Sequence, residues 1–324
     1  MIRQRRHPGD GLRCRVFYKA ILMKGNNRSR RKQPTRRGAR SRTDAANRRL
    51  GAVAGVIIVL VVAWLISTAR SNSAETNGGG LRMPSGTSLE EVTTNSEMPE
   101  WLIRYQGFTV SFNSETHQPN WVAWELLASE TDGETAREKS SGFAADPNAP
   151  GCAHPSDYTR SGYDRGHMAP AGDMKWSAPT MNQSFLMTNI CPQAGELNRG
   201  TWKKLEEKCR QKAIADSAVV IVCGPVFDND KPRRTIGETG VAVPDGFFKV
   251  ILSPYADPPT AIGFVMPNGP VPGGMQEHAV SVDSVERLTG HDFFHALADE
   301  IENKVEAQCD FSRWSRIRPR HKHK

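Results

Sequence analysis

The residue types best able to do chemistry lie together in the stretch from Ser161 to Pro170. Within it, Asp164-Arg165-Gly166-His167 places a carboxylate, a guanidinium and an imidazole within four consecutive positions. If this stretch is extended, Arg165 and His167 share one face, because side chains alternate in direction along a strand. A guanidinium beside an imidazole disfavours the protonated ring, so His167 is predicted to act as a general base near neutral pH.

A second group of polar residues follows on a predicted helix. From Leu197 to about Ile214, apolar residues at helical spacing form one stripe: Trp202, Leu205, Cys209 and Ala213. Asn198 precedes Trp202 by four residues and Leu205 by seven, so its amide is expected to point in the same direction as the stripe. Glu206 lies beside the stripe, where it can reach the same region.

Four short motifs follow one another along the chain: Asp164–His167, Thr188–Gln193, Asn198 with Trp202 and Leu205-Glu206, and Thr289–Phe294. In order and in spacing they resemble the DNA/RNA non-specific endonucleases of the ββα-metal type. The resemblance extends from about Glu100 to Val305. It implies an α+β fold, the ββα-metal or His-Me finger nuclease domain, with a central mixed or antiparallel sheet.

The same resemblance implies a catalytic centre. His167 would take a proton from a water that attacks the phosphodiester bond. Asn198 would be the one protein ligand of a Mg²⁺ ion, with Mn²⁺ as a substitute, and waters would complete the coordination. Glu206 and Asn189 would accept hydrogen bonds from those metal-bound waters.

The remaining implied roles concern the phosphate and the support of the histidine. Arg137 is the candidate for binding the phosphate, a task that suits a guanidinium, and Arg165 would share it. Asp164 and Gly166 would support the histidine strand. The products implied by the resemblance carry a 5′-phosphate and a 3′-hydroxyl, and the substrates are DNA and RNA. Related enzymes are often dimers, so a homodimer is a further expectation.

The elements that must position these residues can be read from hydrophobic patterning. Five apolar stretches bounded by Gly, Pro and Asp predict strands: Phe108–Phe112, Trp121–Leu127, Ala218–Cys223, Phe247–Leu252 and Ala261–Met266. Beyond the Leu197–Ile214 helix, two more helices are predicted, from Val282 to Leu288 and from Asp292 to Val305. Because strands and helices do not alternate regularly, the pattern indicates a mixed α+β domain.

The charge is divided unevenly along the chain. Residues 1–50 contain 17 Lys and Arg against two acids, a net charge of +15, whereas residues 51–324 contain 26 bases and 33 acids, a net charge of −7. A basic domain surface would favour polyanion binding. The acidic domain therefore requires any attraction for phosphate to be local to a site.

Cysteine usage excludes two classes of scaffold. Six cysteines in 324 residues are too few for a disulfide-built fold, and without a Cys-x-x-Cys pair a structural zinc site is not expected. Cys14 lies in the basic arm, which leaves five in the rest of the chain. Outside the cytoplasm up to two disulfides are compatible with the sequence, with the pairing open.

The segment from residue 50 to residue 69 contains no charged residue and is long enough to cross a bilayer as a helix. Basic residues precede it, so the N-terminus is predicted to be cytoplasmic. An uncleaved signal anchor is favoured over a cleaved signal peptide because the apolar run is long. This places the enzyme in a bacterial inner membrane, with its domain periplasmic or extracellular. The Arg-rich leader leaves the mitochondrial intermembrane space as the alternative.

The full organisation predicted is a disordered basic cytoplasmic arm (1–49), a transmembrane anchor in the lipid bilayer (50–69), a flexible linker rich in Ser, Thr, Asn and Gly (70–98), the nuclease domain (99–310) and a basic tail (311–324). Two other functions stay open. One is a catalytically silent nucleic-acid-binding domain of the cell envelope, and the other is a zinc hydrolase.

Overall fold

A seven-stranded antiparallel sheet forms the middle layer of the computed structural model, which describes residues 88–94, 98–137 and 142–317. The strands in chain order are β1 (Thr93–Thr94), β2 (Trp101–Arg104), β3 (Thr109–Asn113), β4 (Gln118–Leu127), β5 (Asp164–His167), β6 (Ile190–Gln193), β7 (Ala218–Val226), β8 (Thr235–Ile236), β9 (Val241–Ala242), β10 (Gly246–Ser253), β11 (Thr260–Pro267), β12 (Ala279–Val280) and β13 (His291–Asp292). The large sheet has the order β12-β11-β10-β7-β4-β3-β2. All five predicted strands belong to it.

Helices cover both faces of this sheet. They are α1 (Ala178–Gln183), α2 (Lys203–Asp216), α3 (Val282–Thr289), α4 (Asp299–Glu306) and α5 (Phe311–Ser315). Along β10, Phe247 packs in the core beneath α2, whereas its neighbour Phe248 packs in the core beneath α3. Because both faces are buried, the central strands read as continuous apolar runs rather than as alternating patterns. The predicted α+β class is confirmed, with an antiparallel sheet.

A small ribbon outside the main sheet carries the predicted chemistry. Strands β5 and β6 pair antiparallel, with Gly166 opposite Cys191 and His167 opposite Ile190. The chain then passes directly into the helical segment that contains Asn198. Met168, next to the ribbon, and Cys191 are both buried in the core beneath α2, so this strand–strand–helix unit is fixed to the sheet.

The helix after β6 differs from the predicted one in its first turns. Residues Leu197–Trp202 are π-helical, with a kink at Gly200, and the α-helix begins at Lys203. A wider first turn changes the angular spacing of side chains. The α-helical spacing used to align Asn198 with Trp202 and Leu205 is therefore wrong there, although the stripe from Trp202 to Ala213 is buried as predicted.

The predicted helix from Asp292 to Val305 is only half present. Its first part is the short strand β13, which pairs with β1, and the helix begins at Asp299. Phe293 and Phe294 are fully buried, and Phe294 has a φ of 56°, which ends helical geometry there. The two adjacent phenylalanines thus enter the core from a turn, where periodicity indicated a helix.

Both predicted domain boundaries differ from the described structure. Leu89 is buried and Thr93 pairs with Asp292, so residues 88–94 of the predicted linker pack on the domain. At the other end, Trp314 is 2% exposed and packs edge-on against Phe264, so the start of the predicted basic tail is the packed helix α5. At each end of the domain a buried apolar side chain, Leu89 or Trp314, packs in the core. Because the neighbouring residues are polar, composition alone did not indicate this packing.

The predicted basic arm (1–49) and membrane anchor (50–69) lie outside the described residues. Within the described ranges, no helix has the length and apolar character needed to cross a bilayer. Among the same residues, Cys152, Cys191, Cys209 and Cys223 form no disulfide bond.

Candidate active site

The imidazole of His167 lies at the end of β5 in an aromatic enclosure. Its ring centroid is 5.4 Å from that of Phe143 and 5.0 Å from that of Phe185, with an edge-on arrangement to the latter. The His167 Nε2 atom is enclosed and has no hydrogen-bond partner among the described residues. A ring nitrogen in this state keeps its lone pair or its proton for another molecule.

Two arginines frame this enclosure. The Arg137 guanidinium lies over the Phe185 ring at 4.0 Å, and the Arg165 guanidinium lies 5.4 Å from the centre of the Phe143 ring. Since Phe143 also contacts His167, Arg165 and His167 share one face of β5, as predicted. Arg137 is exposed, whereas Arg165 donates through Nη2 to the carbonyl oxygen of Pro155 at 2.7 Å.

Burial keeps the His167 ring neutral. Burial, together with the smaller effect of the positive charge of Arg137, lowers the pKa of His167 to about 4. The direction agrees with the prediction, but the cause differs: the enclosure contributes most, and the arginine responsible is Arg137 rather than Arg165. At neutral pH the ring is therefore unprotonated and able to accept a proton.

Asp164, at the start of β5, ties the histidine strand to the helical segment. Its carboxylate accepts a hydrogen bond from Asn198 Nδ2 at 3.0 Å and two from Arg199, at 2.8 Å from Nε and 2.7 Å from Nη2. These bonds, chiefly those from Arg199, lower the pKa of Asp164. Since the Asn198 amide nitrogen is engaged, its oxygen faces away from Asp164. His167 lies three positions beyond Asp164 along the strand, a separation of about 10 Å.

Gly166 permits a close approach between the two strands of the ribbon. A Cβ atom at this position would lie 2.3 Å from Gln193 Oε1 and 2.5 Å from Gln193 Cβ. Both distances are shorter than a Cβ atom adopts to any non-bonded atom. The glycine is buried, and Gln193 is fully buried as well. The position therefore admits only glycine without movement of β6, and the role of Gly166 in supporting the histidine strand stays a prediction.

Asn189 is a structural clamp in this fold. Its amide oxygen accepts from the Ala169 backbone nitrogen at 2.9 Å, and its amide nitrogen donates to the carbonyl oxygens of Ala169 at 2.8 Å and Ser184 at 2.9 Å. The side chain is fully buried. These bonds fix the backbone that follows His167. Contact with metal-bound water, the role predicted for Asn189, stays a prediction, and the amide is already engaged with backbone.

Glu206 lies on α2 in a charged cluster beneath the helix. Burial raises the pKa of Glu206 to about 7, and the nearby Lys249 ammonium opposes the rise. One turn along, Arg210 forms a 2.7 Å ion pair with the buried Asp173. Lys249 is fully buried, 4.5 Å from the centre of the Trp202 ring, opposite Cys223 in the sheet. At neutral pH, Glu206 is thus close to its titration point.

Several residues of this region were not predicted from the sequence. Arg210 lies four residues after Glu206, so helical spacing contains the signal for it. Lys249 interrupts the apolar run from Phe247 to Leu252, and a charge inside a buried strand is also a readable signal. Asp173 and Phe185 carry no such signal, because long-range packing alone brings them to the site.

The donor atoms near the ribbon fit one kind of metal site. In the described ranges, no group of three His, Cys, Asp or Glu ligand atoms within 4.8 Å lies at the ribbon. The Asn198 amide oxygen is an uncharged hard donor held by the bond from its nitrogen to Asp164. A single oxygen ligand suits Mg²⁺, which keeps most of its waters, and does not suit Zn²⁺.

Comparisons with known proteins agree with this geometry. The family described as DNA/RNA non-specific endonuclease matches residues 85–300. The zebrafish (Danio rerio) mitochondrial nuclease EXOG is 38% identical over 230 residues, covering 65% of this chain and 67% of that protein. A nuclease of Nostoc sp. is 31% identical over 242 residues, covering 70% of this chain and 84% of that protein.

A solved structure gives the same result. A chain in the crystal structure of the EndoG/EndoGI complex superposes with a TM-score of 0.56 at 30% identity, covering 62% of this chain and 89% of that one. The match to the family extends over the ribbon, the helix with Asn198 and the whole seven-stranded sheet. The chain therefore belongs to the DNA/RNA non-specific endonuclease family and is an enzyme of this family of hydrolases.

Proposed function

We propose that this chain is a Mg²⁺-dependent endonuclease that hydrolyses DNA and RNA without sequence preference, with His167 as the general base. One observation carries the proposal: the neutral imidazole has an unbonded Nε2, and its strand is tied through Asp164 to the oriented amide of Asn198. A base and a hard metal ligand held on one strand–strand–helix unit are the two parts that metal-assisted hydrolysis requires.

His167 handles the proton in this proposal. The ring accepts a proton from the attacking water through a nitrogen that no described protein group occupies. Its surroundings, Phe143 and Phe185, hold the ring in place, and Asn189 fixes the backbone beyond it. With a pKa of about 4, the imidazole is available as a base throughout the neutral range.

Asn198 is the residue proposed to hold Mg²⁺, with Mn²⁺ as a substitute. When bound, the ion supplies charge stabilisation at the phosphate and the leaving oxygen. The chain's contribution is orientation, because Asp164 fixes the amide that would meet the ion. Glu206 is proposed to accept hydrogen bonds from the hydrated ion, and its pKa of about 7 makes this role dependent on pH.

Phosphate binding is assigned to Arg137, with Arg165 in a supporting role. Arg137 is exposed and lies beside the His167 enclosure, where a guanidinium can meet a phosphate. Arg165 already donates to the Pro155 carbonyl, which leaves it fewer free N–H groups. Because these groups recognise phosphate rather than bases, cleavage without sequence preference follows, and the proposed products carry a 5′-phosphate and a 3′-hydroxyl.

We also propose the organisation predicted for the rest of the chain, with residues 50–69 as an anchor in a lipid bilayer and the enzyme as a homodimer. The zebrafish relative is named as mitochondrial, which supports the mitochondrial intermembrane space as the location. Neither that protein nor the Nostoc nuclease is named as a protein of a bacterial inner membrane, so that location lacks such support.

The experiment that tests the function uses the full chain on supercoiled plasmid DNA and on RNA, with Mg²⁺ or with EDTA. His167→Ala should lower the cleavage rate by about 10²- to 10⁴-fold while the far-ultraviolet circular dichroism stays unchanged. His154→Ala, at an exposed histidine outside the aromatic enclosure, is the matched control. Equal rates for wild type and His167→Ala would reject the proposal. Nucleic-acid binding without any cleavage by the wild type would favour the silent binding domain.

A further inference from the structure

A cluster of carboxylates lies on the face of the sheet opposite the His167 ribbon. Asp283 and Glu286, three residues apart on α3, share one helix face, and Glu306 is the last residue of α4. One ligand oxygen from each of the three residues lies within 4.8 Å of the others. The α3–α4 side packs in the core with Phe248, whereas the ribbon packs in the core with Phe247.

Glu306 points to a missing partner in this cluster. The residue is 5% exposed, and its Oε1 atom is enclosed with no hydrogen-bond partner among the described residues. Burial of a carboxylate oxygen without a partner is costly. Glu286 differs, since its Oε1 accepts a hydrogen bond from the Phe293 backbone nitrogen at 3.0 Å, which fixes the direction of that carboxylate.

The nearby positive charge of Arg287 does not neutralise the three carboxylates of the cluster. Arg287 lies 3.9 Å from Asp283, but both side chains are substantially exposed, so this pair contributes little. Glu302 and Asp292 add negative charge. Burial and the charge of Glu286, followed by those of the other acids, raise the pKa of Glu306 to about 9.

We propose that Asp283, Glu286 and Glu306 form a Ca²⁺ site that joins α3 to α4. All three ligands are carboxylates, and a hard cation with flexible coordination accepts them together. Mg²⁺ takes one or two carboxylates and keeps most of its waters, and the absence of nitrogen and sulfur ligands argues against transition metals. Glu306 lies beyond residue 300, where the match to the family ends, so the site joins the end of α4 to α3 within the matched domain.

This site differs in chemistry from the proposed catalytic one. The catalytic site offers a single uncharged amide oxygen, from Asn198, whereas the cluster offers three acidic groups. Ca²⁺ at the cluster would draw α4 toward α3 and remove the repulsion between their carboxylates. Its expected effect is on the stability of the C-terminal part of the domain, and its failure would leave the proposed nuclease function unaffected.

The test measures thermal unfolding and calorimetric binding of Ca²⁺ by the full chain without nucleic acid. Ca²⁺ at 100 times its dissociation constant should raise the unfolding midpoint by about 5 °C or more. Glu306→Gln should weaken Ca²⁺ binding by about 10-fold or more, since even the outer partners of metal sites have effects of this size. Asp283→Asn, at a half-exposed position, repeats the test if the Glu306 variant does not fold. Glu302→Gln is the control, because it removes an adjacent charge but no ligand.

The outcomes separate the proposal from its rivals. Loss of the Ca²⁺-induced shift in Glu306→Gln or Asp283→Asn, with the shift kept in Glu302→Gln, supports the site. An equal response in all variants overturns it. Binding that disappears in Asn198→Ala but persists in Glu306→Gln also overturns it, because the ion would then bind at the catalytic centre. Equal stabilisation by Mg²⁺ and Ca²⁺ would overturn the assignment to Ca²⁺.

Discussion

Replacement of Asp164 by alanine tests how the proposed metal ligand is held. Asp164 receives one hydrogen bond from Asn198 and two from Arg199. In Asp164→Ala the Asn198 amide loses the bond that fixes its direction, so its oxygen is no longer held in the single orientation that the proposed metal ligand requires. The expected result is weaker activation by Mg²⁺, with His167 and its enclosure unchanged.

The size of this effect follows from the bond between Asn198 and Asp164. A hydrogen bond to a charged group contributes about 1.5 to 3 kcal/mol, and about 1.4 kcal/mol corresponds to a tenfold change in an equilibrium constant. The Asp164 side chain is 26% exposed, so the lower end of that range applies. The Mg²⁺ concentration for half-maximal activity should therefore rise about 10-fold. At other metal sites, removal of a residue that hydrogen-bonds to a metal ligand lowers the affinity for the metal by a similar factor.

Two further variants separate the effect of the Asn198–Asp164 hydrogen bond from that of the Arg199–Asp164 ion pair. Arg199→Ala removes an ion pair whose arginine is 74% exposed but leaves the bond from Asn198 to Asp164, so Mg²⁺ activation should change less than about 2-fold. Asp164→Asn keeps an oxygen that can accept from Asn198 and should restore most of the activation. The measurement is the initial rate of plasmid nicking against Mg²⁺ concentration. If Asp164→Ala leaves that curve unchanged, or if Arg199→Ala shifts it equally, the reasoning is refuted.

Three other changes have defined outcomes. Because the pKa of Glu206 is about 7, the kcat/KM of the wild type should fall as the pH decreases below 7. In Glu206→Gln, kcat/KM should not fall until His167 is protonated near pH 4. A pH–rate profile of each protein checks both expectations. Gly166→Ala forces a Cβ to 2.3 Å from Gln193 and should destabilise the domain by about 1 to 3 kcal/mol in urea unfolding. Asn189→Ala leaves buried backbone groups unpaired and should cost about 3 kcal/mol, measured in the same way; unchanged stability would contradict the clamp.

The parts of the candidate site whose arrangement could be read from the sequence are local. Asp164, Gly166 and His167 lie in four consecutive residues of one strand, so their arrangement follows from strand geometry alone. The central strands were also readable, because both faces of the sheet are buried and the runs are continuously apolar. In both cases the local sequence pattern and the packing of the folded domain favour the same residue types at the same positions.

The parts that sequence did not predict depend on contacts across the fold. Asp173 reaches Arg210 from 37 residues away, and the main cause of the low His167 pKa is an enclosure that includes Phe185. The π-helical turn at Leu197–Trp202 follows no periodicity that an α-helical spacing can detect. Likewise, Phe293 and Phe294 are drawn into the core from a turn, which hydrophobic pattern alone reads as helix.

The acidic character of the domain bears on how a polyanion is recognised. Residues 51–324 carry a net charge of −7, so broad electrostatic attraction cannot hold nucleic acid on this surface. In the proposed function this attraction comes from guanidinium groups beside His167, of which Arg137 is exposed and close to the enclosure. Contacts limited to one phosphate carry no information about base or sugar. The proposed function therefore includes both DNA and RNA, because a guanidinium group that meets a phosphate does not distinguish the two sugars.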